Sequence, residues 1–513
     1  MHPSIHAQLT PDKIAYIVAG SNSVVTYKQL DERSNQGAHL LRQVGLQTGD
    51  HVCVLSGNDS NFLEIIWAAQ RSGLFYTCIP THLVEREIAF IVKDSGSKVL
   101  ISSFSISSDL EREIAGCEIF APNMRNFLEE RKDQSSAPIG DEAAGIEMLY
   151  SSGTTGMPKG IKTDLPVGGI ANRTVLFDFC ETRYGMGADM VYLSPAPLYH
   201  SAPLRFCMIA NRMGATCIIM EKFDPEAALA LIERFGVSHA QFVPTHFIRM
   251  LKLPDDIRSK YDLSSLQVII HAAAPCPAGV KADMIEWFGP IISEYYAGTE
   301  MNGLTVINSP EWLERPGSVG RPVWGRIQIC DEGGDLQPAG TVGAVFFADG
   351  PTFEYHNDEA KTAGSRNRHG GSTLGDVGWV DEDGYLYLTD RSSFMIISGG
   401  VNIYPQEIEN ALILHPEVVD VAVIGAPDAE MGEQVVAVIQ PASWEAAGPE
   451  LGERLLEFLS DKVSRTKLPR RIDFDPALPR SDAGKLLKRI VRDRYWPALE
   501  ASVSSKPSKA DQP

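Results

Sequence analysis

The sequence has 513 residues, of which 44% are hydrophobic and 22% are charged, and its formal net charge is -20. This composition is typical of a soluble globular protein and excludes collagen-like, fibrous and low-complexity chains. The excess of carboxylates disfavours nucleic acid as a partner, because a phosphate backbone is repelled. Since one hydrophobic core rarely exceeds about 250–300 residues, we expect at least two domains.

Two stretches of the chain, Thr26–Pro80 and Val191–Ala274, alternate between helical and strand-like patterns. Two helical patterns, Tyr27–Gln43 and Phe62–Arg71, alternate with two strand patterns, His51–Leu55 and Tyr76–Pro80. A second series follows, with strands predicted at Val191–Ser194, Ala215–Met220, Ala240–Pro244 and Val268–Ala272 and helices at Pro225–Phe235 and Thr245–Leu251. Such alternation predicts parallel sheets with crossover helices.

The pattern changes after Pro316, where glycines and short β-runs predict a small β-rich subdomain. From about Asp390 a compact α+β unit is predicted, with a helix at Pro405–Leu414, a strand at Val418–Ile424 and a helix at Leu451–Val463. We therefore predict an α/β fold with a large N-terminal domain of layered α/β sheets, residues 1–390, and a small C-terminal domain, residues 391–497. Residues 498–513 are rich in Ser, Lys and Pro and predict a flexible tail.

The eight cysteines occur singly, with no Cys-x-x-Cys pair and no zinc-finger spacing. This pattern predicts reduced thiols. The N-terminus lacks the pattern of a secretory signal, and no apolar stretch is long enough to span a membrane. We therefore expect a cytoplasmic protein without a membrane span.

The segment with the clearest chemical pattern is LYSSGTTGMPKGI, residues 149–161. Its glycines allow backbone N–H groups to face an anion, its hydroxyls add donors, and Lys159 adds positive charge, so a phosphate-holding loop is predicted. The loop does not match the P-loop pattern, and no Gly-x-Gly-x-x-Gly follows a strand, which disfavours P-loop nucleotidases and dinucleotide oxidoreductases. Asp381–Gly384 resembles the start of a calcium loop but lacks its later glutamate, so a hairpin turn is predicted there.

The segment YSSGTTGMPKG resembles the signature loop of the adenylate-forming superfamily, in particular its acyl-CoA synthetase (acid–CoA ligase) branch. Further segments resemble that family's motifs in the same chain order: YHS at 199–201, HAAAP at 271–275, YAGTE at 296–300, TLGDVGWVDEDGYLYLTD at 373–390 with Arg391, ISGGVNIYPQEIE at 397–409, and LPRSDAGK at 478–485. Together the motifs span residues 149–485.

The resemblance implies ATP, Mg²⁺ and coenzyme A as cofactors, and it assigns roles to single residues. For catalysis it implies Lys485, His200, Thr299 and Glu300. For nucleotide and CoA binding it implies Ser151, Ser152, Gly153, Thr154, Thr155, Gly156, Lys159, Ala272, Ala273, Ala274, Tyr296, Ala297, Gly298, Asp376, Arg391, Ser398, Gly399 and Gly400. Thr155 and Glu300 would hold Mg²⁺, and Tyr199, His200, Met301 and Gly303 would line the substrate pocket.

The resemblance also implies a mobile C-terminal domain. This domain would present Lys485 for adenylation and the loop Ser398–Gly400 for thioester formation, rotating about a hinge at Asp390 and Ser393. Two departures from the family pattern bear on the relative rates of the two half-reactions: Ser393 stands where Asp or Lys is common, and Ser481–Ala483 replaces a common Thr-Ala-Thr run.

The predicted function is ATP-dependent ligation of a carboxylic acid to CoA. The expected pocket wall, from Tyr199 through Ala272–Ala274 to Gly298–Leu304, is apolar and rich in small residues, so a bulky or long apolar acid is favoured. Alternatives are a half-enzyme that only thioesterifies a supplied acyl-adenylate or that loads a carrier protein, a nucleotide-binding regulator without catalysis, and an amidase with a serine nucleophile at Ser151–Ser152. A homodimer is left open.

Overall fold

The computed structural model describes residues 1–121, 125–151, 157–480 and 486–496. These residues form two compact units. The first comprises the described residues of Met1–Leu388, and the second holds residues 389–480 and 486–496. The sequence-based boundary at residue 390 stays a prediction.

Helices and strands alternate along most of the chain. The first segment contains α1 (Pro3–Leu9), β1 (Ile14–Val18), β2 (Ser23–Thr26), α2 (Tyr27–Gln43), β3 (His51–Leu55), α3 (Phe62–Arg71), β4 (Phe75–Ile79), α4 (Glu85–Asp94), β5 (Val99–Ser102), α5 (Ser108–Glu113), β6 (Glu118–Phe120), α6 (Arg125–Arg131), β7 (Ile146–Glu147), β8 (Leu149–Ser151) and β9 (Lys159–Lys162). The next contains α7 (Val175–Tyr184), β10 (Val191–Ser194), α8 (Ser201–Met213), β11 (Thr216–Ile219), α9 (Pro225–Phe235), β12 (His239–Phe242), α10 (Pro244–Leu251), α11 (Asp255–Arg258), β13 (Val268–His271), α12 (Ala278–Phe288), β14 (Ile292–Tyr296), β15 (Leu304–Asn308) and α13 (Ser309–Glu314).

The remaining elements begin with the glycine-rich part of the chain. They are β16 (Ser318–Trp324), β17 (Arg326–Cys330), β18 (Gly343–Ala348), β19 (Glu354–Tyr355), α14 (Glu359–Gly364), β20 (Asp376–Val380), β21 (Leu386–Arg391), a 3₁₀ turn (Ser392–Phe394), β22 (Ile396–Ser398), β23 (Val401–Ile403), α15 (Pro405–Leu412), β24 (Val418–Asp428), β25 (Gly432–Pro441), a 3₁₀ turn (Trp444–Ala446), α16 (Pro449–Leu459), β26 (Arg471–Phe474) and α17 (Lys488–Asp493).

Local sequence explains where the predicted elements begin. Helix α2 begins after Thr26, whose hydroxyl accepts from the Gln29 N–H, while the Gln29 side chain accepts from the Thr26 N–H. This reciprocal cap satisfies N–H groups that have no partner inside the helix. The predicted helices at Tyr27–Gln43, Phe62–Arg71 and Pro225–Phe235 are confirmed to the residue.

The first unit contains two sheets with parallel strands, as the alternating patterns predict. One is parallel throughout, in the order β6-β5-β3-β4-β7. The other is a large sheet in the order β17-β18-β20-β21-β16-β15-β14-β13-β12-β10-β11-β1-β2, and its strands β11, β10, β12, β13 and β14 are parallel. Every residue of β3, β4 and β5 is buried, as expected for parallel strands that are covered on both faces.

The β-rich segment after Pro316 extends the large sheet. Strand β16 pairs antiparallel with β15 on one side and with β21 on the other. Gly320 of β16 has a φ of 95°, and a Cβ there would lie 2.1 Å from the Val306 carbonyl oxygen. Glycine is needed at this close approach. Asp381–Gly384 forms the predicted turn between β20 and β21, with the Gly384 N–H bonded to the Asp381 carbonyl.

The second unit is the α+β structure that the sequence predicts. Its sheet has the order β23-β22-β25-β24, with β26 paired parallel to β25. Inside it, the Lys488 Nζ donates to both carboxylate oxygens of the buried Glu409, at 2.9 and 3.0 Å.

All eight cysteines are free thiols, and six of them are buried. Within the described ranges, no helix is both long and apolar enough to cross a membrane.

Candidate active site

Three groups of predicted site residues in the first unit follow the carboxyl ends of parallel strands. After β10 the chain continues to β11 on one side of it and then to β12 on the other. This reversal is a topological switch point, where open α/β sheets bind their ligands at the carboxyl ends of the strands. Tyr199 and His200 follow β10, Ala272–Ala274 follow β13, and Ala297–Glu300 follow β14. The sheet topology therefore brings three separate motifs to one edge.

Two residues that are predicted to line the substrate pocket, Tyr199 and His200, directly precede α8. His200 is the residue before that helix, in an extended conformation, and its ring lies 4.6 Å from the buried ring of Tyr199. His82 from another loop approaches Tyr199, with ring centroids 6.5 Å apart.

The loop after β13 has an unusual backbone. Ala272 is buried, Ala274 is half-buried, and the exposed Ala273 has a φ of 78°. A non-glycine residue in the left-handed region is strained and persists where the surroundings hold it. The loop is therefore held in one specific conformation.

Two segments that are predicted to bind the nucleotide, YAGTE and TLGDVGWVDEDGYLYLTD, meet directly. Tyr296, the last residue of β14, donates its hydroxyl to Oδ2 of Asp376, the first residue of β20, at 2.5 Å. Asp376 is buried, and the Tyr296 ring packs 6.0 Å from Phe347. The structure thus joins two predicted nucleotide-binding residues that are 80 positions apart in the chain.

The predicted metal residue Glu300 lies next to two groups from other parts of the chain. The Tyr355 hydroxyl donates to its Oε1 at 3.0 Å. Burial lowers the pKa of Lys159, and the negative charges of Asp358 and Glu300 act in the opposite direction. Lys159 therefore lies close enough to Glu300 for their charges to interact. Lys159 begins β9 and pairs in antiparallel register with Ser151, so the two strands place these residues of the signature segment side by side.

The residues around Thr299 are tightly packed. A Cβ on Gly298 would lie 2.6 Å from Oε2 of Glu300, and a Cβ on Gly303 would lie 2.1 Å from the Phe347 ring. Ala297 is half-buried, and Met301 has a φ of 53°, with its N–H bonded to the Gly298 carbonyl. Gly303 is thus packed against a side chain.

Sequence reasoning missed Arg205 and Glu147. The Arg205 Nε donates to Oε1 of Glu147 at 2.6 Å, and its Nη2 donates to the Thr299 carbonyl at 3.4 Å. The Tyr76 hydroxyl donates to the other oxygen of Glu147 at 3.2 Å. Glu147 lies just before β8, which leads to the signature segment, so this ion pair connects three elements of the site. The sequence did contain one sign of this role, because Arg205 is a charged residue within an apolar run of α8. Its neighbours Leu204, Phe206 and Cys207 are buried.

The remaining predicted residues of the second unit lie in two places. Asp390 and the half-buried Arg391 are the last two residues of β21, and Ser393 lies in the 3₁₀ turn that follows. The Oδ2 atom of Asp390 accepts a hydrogen bond from the N–H of Gln406, at the beginning of α15, at 3.0 Å. Ser398–Gly400 belong to the hairpin of β22 and β23.

Several predicted residues lie outside the described ranges: Ser152, Gly153, Thr154, Thr155, Gly156 and Lys485. Their roles stay predictions.

Residues 4–353 match the family described as AMP-binding enzyme, and residues 407–485 match the AMP-binding enzyme C-terminal domain. A fatty acid–acyl-carrier-protein ligase of Streptomyces coeruleorubidus is 30% identical over 96% of this chain and 95% of its own length. A feruloyl-CoA synthase of Amycolatopsis is 31% identical over 96% of this chain and 98% of its own length.

Solved structures are similar over almost their whole length. The ATP-bound MatB of Rhodopseudomonas palustris is 26% identical, with a TM-score of 0.81 over 96% of this chain and 99% of that one. The o-succinylbenzoate CoA synthetase of Bacillus subtilis, in complex with its acyl-adenylate intermediate, is also 26% identical, with a TM-score of 0.81 over 96% and 97%. The chain therefore belongs to the AMP-binding enzyme family, in the acyl-CoA synthetase branch of the adenylate-forming superfamily.

Proposed function

We propose that this protein is an ATP-dependent carboxylic acid–CoA ligase. The observation that carries the proposal is the meeting of the motifs at one sheet edge, above all the hydrogen bond from Tyr296 to Asp376 and the contact of Tyr355 with Glu300. A nucleotide with its base on Tyr296 and its ribose on Asp376 would extend its phosphates toward Glu300 and Lys159.

In the first half-reaction a carboxylate oxygen of the acid attacks the α-phosphorus of ATP. A phosphorus–oxygen bond forms to give the acyl-adenylate, and the bond to the leaving pyrophosphate breaks. Negative charge builds up on the α-phosphate in the transition state, so cations and donors fixed in place supply the main stabilisation. Lys485 is proposed to bridge the carboxylate and the α-phosphate, and Thr299 to contact the α-phosphate.

The residues around Glu300 fit a magnesium ion. Mg²⁺ is usually bound by one or two carboxylates together with substrate phosphates, and Glu300 is a half-buried carboxylate with Tyr355 on one oxygen. Among the described residues, no group of three or more His, Cys, Asp or Glu side chains is placed to hold a metal ion. Glu300 and Thr155 would hold the ion, which would act as a Lewis acid on the phosphate oxygens.

In the second half-reaction the CoA thiol loses its proton and attacks the acyl carbonyl carbon. The carbon–sulfur bond forms, and the bond to the AMP oxygen breaks. The C-terminal domain is proposed to rotate about Asp390 and Ser393 so that Ser398–Gly400 replaces Lys485 at the site.

The acid pocket is proposed to lie beside α8, with a stack of aromatic rings as the proposed limit to its depth. Phe206 packs 6.3 Å from Tyr192 and 6.0 Å from Tyr295, with interplanar angles of 17° in both cases. Gln241 accepts from the Tyr192 hydroxyl and donates to the Tyr295 oxygen. At 1.5 Å per residue, Phe206 lies about 9 Å along α8 from His200. Of the bulky or long apolar acids that the sequence favours, we propose a bulky, compact, ring-containing acid.

A carrier protein is the second candidate acceptor. It is supported by the similarity to the fatty acid–acyl-carrier-protein ligase of Streptomyces coeruleorubidus. A cytoplasmic location and a homodimer are further parts of the proposal, and size-exclusion chromatography with light scattering tests the latter.

The function is tested with purified protein, Mg²⁺-ATP and a panel of aromatic, polycyclic and long-chain acids. Pyrophosphate release and acyl-CoA formation are measured in parallel, with Lys485→Ala as the inactive variant and Lys462→Ala, at an exposed ion pair with Asp461, as the matched control. We expect the wild type to form acyl-CoA from ring-containing acids only when ATP is present. The Lys485→Ala variant should lose this activity, and the Lys462→Ala variant should keep it.

Each other outcome contradicts a named part of the proposal. Pyrophosphate without acyl-CoA would favour the carrier-protein acceptor, and acyl-CoA only from supplied acyl-adenylate would indicate a thioesterifying half-enzyme. A preference for long-chain acids would contradict the compact pocket.

A further inference from the structure

A buried charge cluster lies behind the nucleotide-binding loop. The Lys281 Nζ donates to Oε2 of Glu294 at 2.5 Å, and the His271 Nε2 lies 3.6 Å from the same oxygen. Lys281 and His271 are completely buried, and Glu294 is 5% exposed. The cluster is closed by Trp312, whose ring lies 5.0 Å from the lysine nitrogen, and by Phe247, which packs edge-on against the histidine.

The physical state of the cluster follows from its burial. Burial raises the pKa of Glu294, and Lys281 acts against that shift through its charge and hydrogen bond. Burial and the charge of Lys281 keep the pKa of His271 well below its usual range, so this histidine is neutral. Neither ring nitrogen of His271 has a hydrogen-bond partner in the described part of the chain, and its position beside Glu294 is held by packing.

The three residues come from the three elements that surround the loop. His271 is the last residue of β13 and directly precedes Ala272, and Lys281 lies in the first turn of α12, which follows the loop. Glu294 is paired in register with His271 and lies two residues before Tyr296, on the same face of β14. The ion pair therefore connects the helix that follows the strained loop to the strand that carries Tyr296. At the other end of the loop, His271 packs beside the same carboxylate, on a strand that pairs with β14.

Stability alone does not account for such a pair. Removing two charges from water costs free energy, and apolar side chains of similar volume often replace a buried ion pair without loss of stability. A directional contact, however, fixes the relative position of the groups that it joins, and a displacement of about 1 Å at a binding site can cost about a hundredfold in rate.

We propose that His271, Glu294 and Lys281 are positioning residues that hold the loop Ala272–Ala274 and Tyr296 in the geometry that binds the nucleotide. The inference rests on the proposed function only in taking this edge as the nucleotide site. It predicts that breaking the ion pair weakens nucleotide binding and leaves the binding of the acid unchanged.

The test uses the full chain with Lys281→Met, which keeps an unbranched side chain of nearly the same length and removes its charge. The Kd for AMP is measured by calorimetry, and the KM values for ATP and for the acid are measured by pyrophosphate release. We expect the Kd for AMP and the KM for ATP to rise about tenfold, because a buried carboxylate loses its charged partner, and the KM for the acid to stay at the wild-type value.

The matched control is Lys260→Met, which breaks the exposed ion pair of Lys260 with Glu226 in the same unit, 3.0 Å apart. This variant is expected to bind AMP like the wild type. Wild-type affinity for AMP in folded Lys281→Met would overturn the proposal, and an equal loss of affinity for AMP and for the acid would show general damage and overturn it too.

A double variant, Lys281→Met with Glu294→Leu, distinguishes an effect on the position of the loop from an effect on the stability of the fold. It also replaces the single variant if that variant fails to fold. An apolar pair is expected to restore folding, as judged by the thermal midpoint, while AMP binding stays weak. Recovery of AMP binding together with stability would overturn the positioning role. The AMP measurement requires no acid, so a wild type that binds AMP but forms no thioester would contradict the proposed function and not this inference.

Discussion

Arg205 illustrates how a single side chain can connect several motifs. Its guanidinium contacts the Glu147 carboxylate and the Thr299 carbonyl, and its helix begins next to His200. Neither Arg205 nor Glu147 belongs to a recognised motif. Their importance follows from position, because Thr299 precedes the predicted metal residue and Glu147 precedes the strand that leads to the signature segment.

We expect Arg205→Met to lower the kcat/KM for pyrophosphate release by about ten- to a hundredfold, because the loop at Thr299 loses a fixed donor and a half-buried carboxylate loses its cation. Arg326→Met, which removes an exposed partner of Asp349, is the control and should behave like the wild type. Equal activities of the two variants would contradict a role for Arg205 in shaping the site.

The buried His246 predicts how acid destabilises the fold. Its ring stacks on Phe223 at 3.8 Å, and burial together with the charge of Arg249 lowers the pKa of His246 to about 3. The unfolded chain binds this proton near pH 6.5, so the folded state loses stability as the pH falls from about 6.5 toward 3, by roughly 1.4 kcal/mol per unit for this residue.

We therefore expect His246→Phe to show a smaller loss of stability between pH 7 and pH 5 than the wild type, measured as the urea midpoint by fluorescence. His369→Phe, at an exposed position, should keep the wild-type pH dependence. If the urea midpoint of His246→Phe fell with pH as steeply as that of the wild type, this histidine would not titrate as stated.

At the level of secondary-structure elements, the hairpin of β22 and β23 gives the predicted CoA loop a structural role as well. Ser398 pairs with Val401, so Gly399 and Gly400 form a two-residue turn, with φ angles of 57° and 80°. Turns with two positive φ angles match the twist of hairpin strands and require residues such as glycine. The same two glycines thus satisfy the hairpin and keep the loop free of side chains.

We expect Gly400→Ala to lower the rate of thioester formation from acyl-adenylate and to leave pyrophosphate release unchanged. The strain should be about 1–2 kcal/mol, since the added methyl meets no atom within 4 Å. Gly340→Ala in the first unit is a matched control, because Gly340 has the same φ of 80° and the same open surroundings. If Gly400→Ala lowered the rates of pyrophosphate release and of thioester formation equally, the loop would have a structural role only.

For the protein as a whole, the net charge of -20 opposes the approach of ATP and CoA. In the proposed function, local groups such as Lys159 and the donors at the strand ends act against that field. Because salt screens long-range repulsion more than short contacts inside a site, ionic strength separates the two effects.

We expect the KM for CoA to fall about two- to threefold when KCl is raised from about 0.01 to 0.15 M, as the Debye length decreases from about 30 to 8 Å. Sucrose at matched osmolarity should leave it unchanged. A KM that rises with salt would show that local cations dominate the encounter.

The alternation of helices and strands, the order of the motifs and the family could all be predicted from the amino-acid sequence. The reason is that hydrophobic periodicity, capping residues such as Thr26 and short motifs are local properties of the chain. Helix α2 begins and ends where its pattern predicts, and the residues of YAGTE and TLGD could be chosen as candidates before their neighbours were known.

Which distant residues meet became known only from the folded chain. The hydrogen bond of Tyr296 with Asp376, the contact of Arg205 with Glu147 and the buried pair of Lys281 with Glu294 each join segments that no local pattern links. Strand order sets these neighbours, and it depends on the packing of the whole sheet. The segment after Pro316 could be predicted as β-rich, but the pairing of β16 between β15 and β21 could not.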